Sequence, residues 1–409
     1  MKKDNSFIPF FKPLITDDEI NDVNKCLRSG WMTTGPFTKQ FEKDFSKYMK
    51  RGQAVAVNSC TAALHLALEA VGIRAGDLVL VPTYTFAATA EVVRYLDAVP
   101  VLVDAEEDTF NMDMHKAEDI LQKIASCEHV PGVPEQHNGV KAMIPVHFGG
   151  QAVDVEHAKR LCSEYELFLI EDCAHCCPAY YKTEESKEWK MTGSSADIAC
   201  YSFYANKTIT TGEGGMALTD NPEWADRMRI MSLHGISKDA WKRFSKEGSW
   251  YYEITAPGYK YNMTDIAAAI GVNQLKRADD FHSSRERIAG IYNKGLKNLR
   301  GITLPSVKSG IKHSWHLYII RVNNNESGIS RNEFIEKLTA GGIGTSVHYI
   351  PLHLHPYYKE NFGYNADDFP VASELYSEVI SLPIYPAMSD DEIYRVISTV
   401  KTVLEQSEK

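Results

Sequence analysis

Between positions 54 and 219 the chain repeats one pattern: a short, almost wholly apolar run, then a stretch with helical spacing. The apolar runs are 54–57, 78–81, 99–104, 142–147, 167–170, 198–203 and 216–219, and helical patterns occupy 61–71, 87–96, 114–125 and 153–165. Runs without polar alternation, joined by helices, predict a mostly parallel sheet covered on both faces. In such a sheet ligands bind beyond the carboxyl ends of the strands, so the residues that close each run are the candidates for chemistry. Further helical patterns lie at 17–28, 223–233 and 263–275. The last part mixes helices with strand-like 315–322 and 345–349. The expected organisation is a large domain, 1–280, and a smaller α+β domain, 281–409.

Composition narrows the partners. With 44 basic and 54 acidic residues in 409, the formal net charge is −10. There is no basic block, which argues against nucleic acid and anionic membrane as partners. The start of the chain carries Asp4 and only a short apolar run, so it does not read as a signal peptide, and the expected location is the cytoplasm. The eight cysteines lie mostly in apolar stretches, and in a reducing compartment no disulfide is expected.

Several residues stand where chemistry is expected. Lys207 lies between the runs 198–203 and 216–219, followed by Gly212, Gly214 and Gly215. A loop lysine is ordinarily a solvated charge. One desolvated beside buried strands becomes an amine nucleophile suited to a Schiff base. Ser59, Cys60 and Thr61 follow the first run; Ser59 or Thr61 reads as a helix N-cap or as part of an anion site at a helix N-terminus. Phe86, after the second run, is either core or a ring facing a planar ligand. Asp172 ends the run 168–172 and needs a partner, which is a helix cap or structural hydrogen bond, or a protonated ring nitrogen. His175 follows three residues on. A single Cys-x-x-Cys, Cys173 to Cys176, lacks a second pair, so no metal is expected. Trp31 stands in the irregular stretch 29–37 and either covers surface or reaches over a ligand or partner subunit.

Taken together, Asn58-Ser-Cys-Thr-Ala-Ala-Leu-His, Pro145-Val-His-Phe-Gly-Gly-Gln, Glu171-Asp-Cys-Ala-His, Ser202-Phe-Tyr-Ala-Asn-Lys and Thr211-Gly-Glu-Gly-Gly resemble the DegT/StrS family of pyridoxal-phosphate-dependent nucleotide-sugar aminotransferases. The stretch 256–265, with 315–321, 342–348 and 381–386, looks like the branch that aminates a UDP-linked 4-keto-pentose to the 4-amino-4-deoxy-L-arabinose form.

The resemblance implies the type I, aspartate-aminotransferase-like fold, with a mostly parallel seven-stranded sheet. It implies pyridoxal 5′-phosphate bound covalently to Lys207, with Asp172 on the ring nitrogen, His175 on the ring hydroxyl and Phe86 on the ring face. Ser59, Cys60, Thr61 and Ser202 would hold the phosphate. Lys260 and Asn262 replace the asparagine and arginine of the Gly-Tyr-Asn-Tyr-Arg loop that reaches the neighbouring subunit's phosphate in many relatives. Trp31, Thr34, His348, Tyr349 and His353, and the aromatic segment 241–252, are implied sugar or cross-subunit contacts. The partners implied are L-glutamate and 2-oxoglutarate, a nucleotide-linked keto-sugar and a second copy of the chain in a homodimer with shared sites. The rival readings are C3 amination, dehydration on the same fold, and a non-catalytic regulatory homologue.

Overall fold

The computed structural model describes residues 7–183, 187–236 and 251–407. Seven strands form the central sheet: β1 (Gln53–Val57), β2 (Leu78–Pro82), β3 (Val99–Val103), β4 (Val140–Met143), β5 (Phe168–Asp172), β6 (Ile198–Ser202) and β7 (Gly215–Thr219). Their spatial order is β1-β7-β6-β5-β4-β2-β3. All neighbours pair in parallel except β7, which runs antiparallel to both β1 and β6. Each predicted run is therefore a strand, with ends shifted by a few residues.

The largest shift is at β4, which stops at Met143; beyond it Val146 makes one isolated bridge to Asp172. Unbroken apolar runs are explained by burial on both faces. Leu78 and Leu80 enter one core cluster, whereas Val79 and Val81 enter the other.

Helices cover both faces. Those in the first part of the chain are α1 (Asp17–Ser29), α2 (Pro36–Met49), α3 (Cys60–Ala70), α4 (Ala88–Arg94), α5 (Met114–Ala125), α6 (Val155–Glu164), α7 (Pro222–Met231) and α8 (Asp265–Lys276). The sequence reading stops at a break over 29–37 and misses α2. Its N-cap, Gly35, has no capping side chain; the cap comes from Asp265 at the start of α8. That carboxylate accepts from the amides of Gly35 (2.7 Å), Phe37 (3.1 Å) and Thr38 (2.9 Å) and from the Thr38 hydroxyl (2.7 Å). It answers the donors that a helix start leaves open.

The position 280/281 falls near the start of α9 (Ala278–Leu296). A third apolar cluster gathers Ile288, Tyr292 and Leu296 of α9 with Ile320, Ile380 and Val400, and it also takes Ile8 from the beginning of the chain. In this C-terminal part Tyr318–Val322 pairs antiparallel with Val379–Leu382. The strand expected at 345–349 does not form. Only Ser346 bridges, to Ser381. No helix among the described residues is long and apolar enough to cross a membrane. All eight cysteines are free thiols.

Candidate active site

The carboxyl ends of β1, β2, β5 and β6 open onto a cavity of about 500 Å³. Ten of the sequence candidates line it: Ser59, Cys60, Thr61, Phe86, Asp172, His175, Ser202, Lys207, His348 and Tyr349. The parallel direction of these four strands brings their loops to one edge, so residues more than a hundred positions apart converge there.

The N-terminus of α3 forms one wall. The Ser59 hydroxyl accepts from the Ala62 amide at 3.1 Å and is the N-cap. The amides of Cys60 and Thr61 meet no acceptor among the described residues, so they are available to an anion. Gly215 of β7 lies against this turn. A Cβ there would sit 2.3 Å from the Ser59 carbonyl oxygen, so the glycine lets β7 close onto the helix start. Gly212 turns the Lys207 loop at φ +83°, in the region that favours glycine.

Lys207 faces the cavity, where burial lowers its amine from 10.5 to about 8. Asp172 is buried at the end of β5. One oxygen accepts from the Ala174 amide and the other from the Thr89 hydroxyl, both at 3.0 Å. Thr85 braces Thr89 at 2.9 Å. Burial nevertheless dominates and raises the Asp172 carboxyl, while these bonds and the Lys207 charge oppose the rise. A cationic partner at this place would offset that penalty.

His175 is held in one tautomer. Its Nδ1 accepts from the Gly149 amide at 3.1 Å, so Nε2 carries the hydrogen toward the Tyr349 hydroxyl at 3.2 Å. Burial first, then the Lys207 charge, depresses its protonation strongly, so the ring is neutral. His348 Nδ1 lies 2.8 Å from the Ser381 hydroxyl, and burial lowers this ring to about 3. Phe86 is not core: it is 61 % exposed at the mouth, its ring 5.8 Å from that of Tyr349.

Five candidates lie outside this cavity. Trp31, Thr34 and Asn262 line a second hollow beside α2, and Lys260 donates to the Asn262 side chain. The Asn262 amide in turn donates to the Thr34 hydroxyl at 2.8 Å. His353 does not approach either hollow; Thr83 (2.7 Å) and Ser373 (2.9 Å) hold its two nitrogens in the interior. Of the aromatic segment 241–252, Trp241, Phe244 and Trp250 lie outside the described residues, and Tyr251 and Tyr252 are exposed. Sequence reasoning missed Thr89, Tyr204, Asn206 and Glu213, all of which line the first cavity. The available signal was the four-residue spacing of Thr85 and Thr89, one helical turn apart.

An amine, a buried carboxylate and a free helix N-terminus around one cavity are the parts needed to hold a phosphorylated pyridine aldehyde. The chain matches the DegT/DnrJ/EryC1/StrS aminotransferase family over residues 13–401. It belongs to that family. Among curated relatives, a protein of Methanocaldococcus jannaschii, MJ1066, is 46 % identical over 402 residues, spanning 98 % of this chain and 99 % of that one. The spore coat polysaccharide biosynthesis protein SpsC of Bacillus subtilis is 44 % identical over 405 residues, spanning 99 % of each. Among solved structures, the putative sugar aminotransferase Spr1654 of Streptococcus pneumoniae superposes with a TM-score of 0.85 in its PMP form, at 34 % identity and 98 % coverage of each chain. Its PLP form gives 0.84 at the same identity, covering 98 % of this chain and 99 % of that one. As a member of the DegT/StrS family the chain is a PLP-dependent sugar aminotransferase of the type I fold. The cavity fits that cofactor: its unanswered amides suit the phosphate, and its raised carboxyl suits a protonated ring nitrogen.

Proposed function

We propose that this enzyme transfers an amino group from L-glutamate to the C4 keto group of a UDP-linked keto-sugar, yielding 2-oxoglutarate and an amino sugar for a surface polysaccharide or glycoconjugate. The observation that carries the reading is the opening of Lys207 and Asp172 onto one cavity with the N-terminus of α3. The resemblance of 256–265 to the 4-amino-4-deoxy-L-arabinose branch supports the sugar, and the similarity to SpsC supports a polysaccharide destination.

In this reading Lys207 holds the cofactor covalently between turnovers and then moves a proton at the reacting carbon. Asp172 keeps the ring nitrogen protonated through charge-assisted hydrogen bonding. Pyridoxal phosphate, when bound, supplies the ring that accepts the electron pair. His175 donates from Nε2 toward the ring hydroxyl in exchange for Tyr349. Phe86 covers one ring face. Ser59, Cys60, Thr61 and Ser202 donate to the phosphate. Residues 1–280 hold the cofactor, and 281–409 contribute His348 and Tyr349 to the sugar side. In a cytoplasmic homodimer, Lys260 and Asn262 reach the partner's phosphate, and Trp31 and Thr34 border the shared sugar site.

C3 amination or dehydration is the alternative on this fold. The dehydratase relatives carry histidine at the lysine position, and Lys207 speaks against them. The test is incubation of the PLP-loaded enzyme with L-glutamate and UDP-, dTDP- and GDP-linked keto-sugars, with the amine located by NMR. A UDP-linked 4-amino product is expected. A 3-amino or deoxygenated product, or no loss of visible cofactor absorbance with glutamate, overturns the reading. Sedimentation tests the shared site, and a fully active monomer would contradict it.

A further inference from the structure

We propose that His115, Glu118 and His157 form a binding site for one first-row divalent cation of the zinc class. None of the three lines either cavity, and the aminotransferase reading uses none of them. His115 and Glu118 stand three apart on α5, the spacing that puts two side chains on one helix face. His157 comes from the first turn of α6. One donor atom from each residue lies within 4.8 Å of the others.

Tetrahedral zinc with bonds of about 2.0–2.2 Å spaces its ligands roughly 3.3 Å apart. Glu118 Oε2 and His157 Nε2, 3.0 Å apart, already stand close to that spacing. The His115 ring is centred 4.9 Å from that of His157, and as an exposed residue it closes the remaining gap by side-chain rotation. Two imidazoles and a carboxylate suit zinc, copper or nickel, whereas calcium and magnesium take oxygen ligands.

A second observation points to a cation at the same place. Arg160 Nη2 donates to His157 Nε2 at 2.7 Å and to Glu118 Oε2 at 3.1 Å. Guanidinium nitrogens only donate, so His157 Nε2 presents its lone pair there. Two lone-pair atoms therefore face each other at 3.0 Å, and the positive charge of Arg160 holds them together. A divalent cation can take that position once Arg160 swings out, and Glu164 already lies 3.6 Å from its other nitrogen. The bound metal would tie α5 to α6.

The test is calorimetric titration of the chelator-stripped, PLP-loaded full chain with Zn²⁺ alone. One saturable equivalent is expected. His115→Asn and Glu118→Gln, on residues not fully buried, should each weaken it at least about tenfold, since loss of even an outer-shell partner costs that much. Arg160→Ala should leave the affinity equal or tighter. Circular dichroism confirms that the variants fold as the parent does. No saturable equivalent, or an affinity unchanged in both ligand variants, overturns the proposal. The titration needs no turnover, so its outcome is separate from that of the sugar assay.

Discussion

The Tyr349 hydroxyl sits 3.2 Å from Nε2 of His175, although 174 positions separate the two residues in the chain. The contact joins the loop after β5 to the C-terminal part of the molecule, and it uses the one hydrogen that the neutral ring has to give. Tyr349→Phe would strand that buried N–H in the cofactor-free protein. The expected loss is about 1–3 kcal/mol of unfolding free energy, read from urea melts.

The lowered amine of Lys207 gives a pH dependence. At pH 7.5 a group titrating near 8 is roughly 250-fold richer in free amine than one at 10.5, by the ordinary titration relation. Covalent capture of pyridoxal phosphate by cofactor-free enzyme should speed up about tenfold per pH unit below 8 and level off above it, followed by absorbance. Stability follows the same shift. Between pH 8 and 10.5 the unfolded chain binds more protons at this lysine than the native one does, so native stability should rise with pH across that window. Lys207→Met should remove the rise, as Tm values over a pH series would show.

Asp172→Asn keeps the size of the side chain and removes the charge that, in the proposed reading, faces the ring nitrogen. The glutamate half-reaction should slow by at least about 100-fold, the scale of losing one preorganised electrostatic partner. The Kd for pyridoxal phosphate should move far less, because the phosphate wall is untouched. Stopped-flow absorbance and equilibrium titration separate the two effects.

Asp265→Ala would leave the start of α2 without its only described side-chain acceptor, stranding three amides and one hydroxyl. A lost cap costs about 0.5–2 kcal/mol, and the burial of these donors should push the loss to the upper end or beyond. Denaturant melts compared with Asp280→Ala, an exposed α9 acid, provide the control.

Gly215→Ala would place a methyl group 2.3 Å from the Ser59 carbonyl oxygen and force the first turn of α3 outward. The expected result is weaker cofactor binding, with a Kd raised about tenfold by the loss of one phosphate hydrogen bond. Fluorescence titration with pyridoxal phosphate measures it.

What could be read in advance followed local chemistry. Seven almost wholly apolar runs alternating with helical patterns pointed to strands buried on both faces, and the polar residues closing four of them do meet at one cavity. What escaped depended on distant partners. Helix α2 has a glycine at its cap because the capping group is Asp265. The strand Val379–Leu382 follows the helix Pro370–Glu378 with no breaking residue between them, so the sequence marks no boundary. His353 resembled a site residue until Thr83 and Ser373 claimed both its nitrogens. Lys260 and Asn262 pair with each other beside a different hollow, a relationship that residue identity alone does not reveal.

The Asp265 cap also sets an order of events during synthesis. Helices α1 and α2 leave the ribosome early, yet the carboxylate that answers the first turn of α2 emerges some 230 residues later. Glu19 of α1 likewise waits for Gln274 and Arg277. The N-terminal layer therefore cannot be completed as it is made. It is closed retroactively, when α8 arrives, and a nascent chain halted near residue 260 would present an α2 whose leading amides still face water.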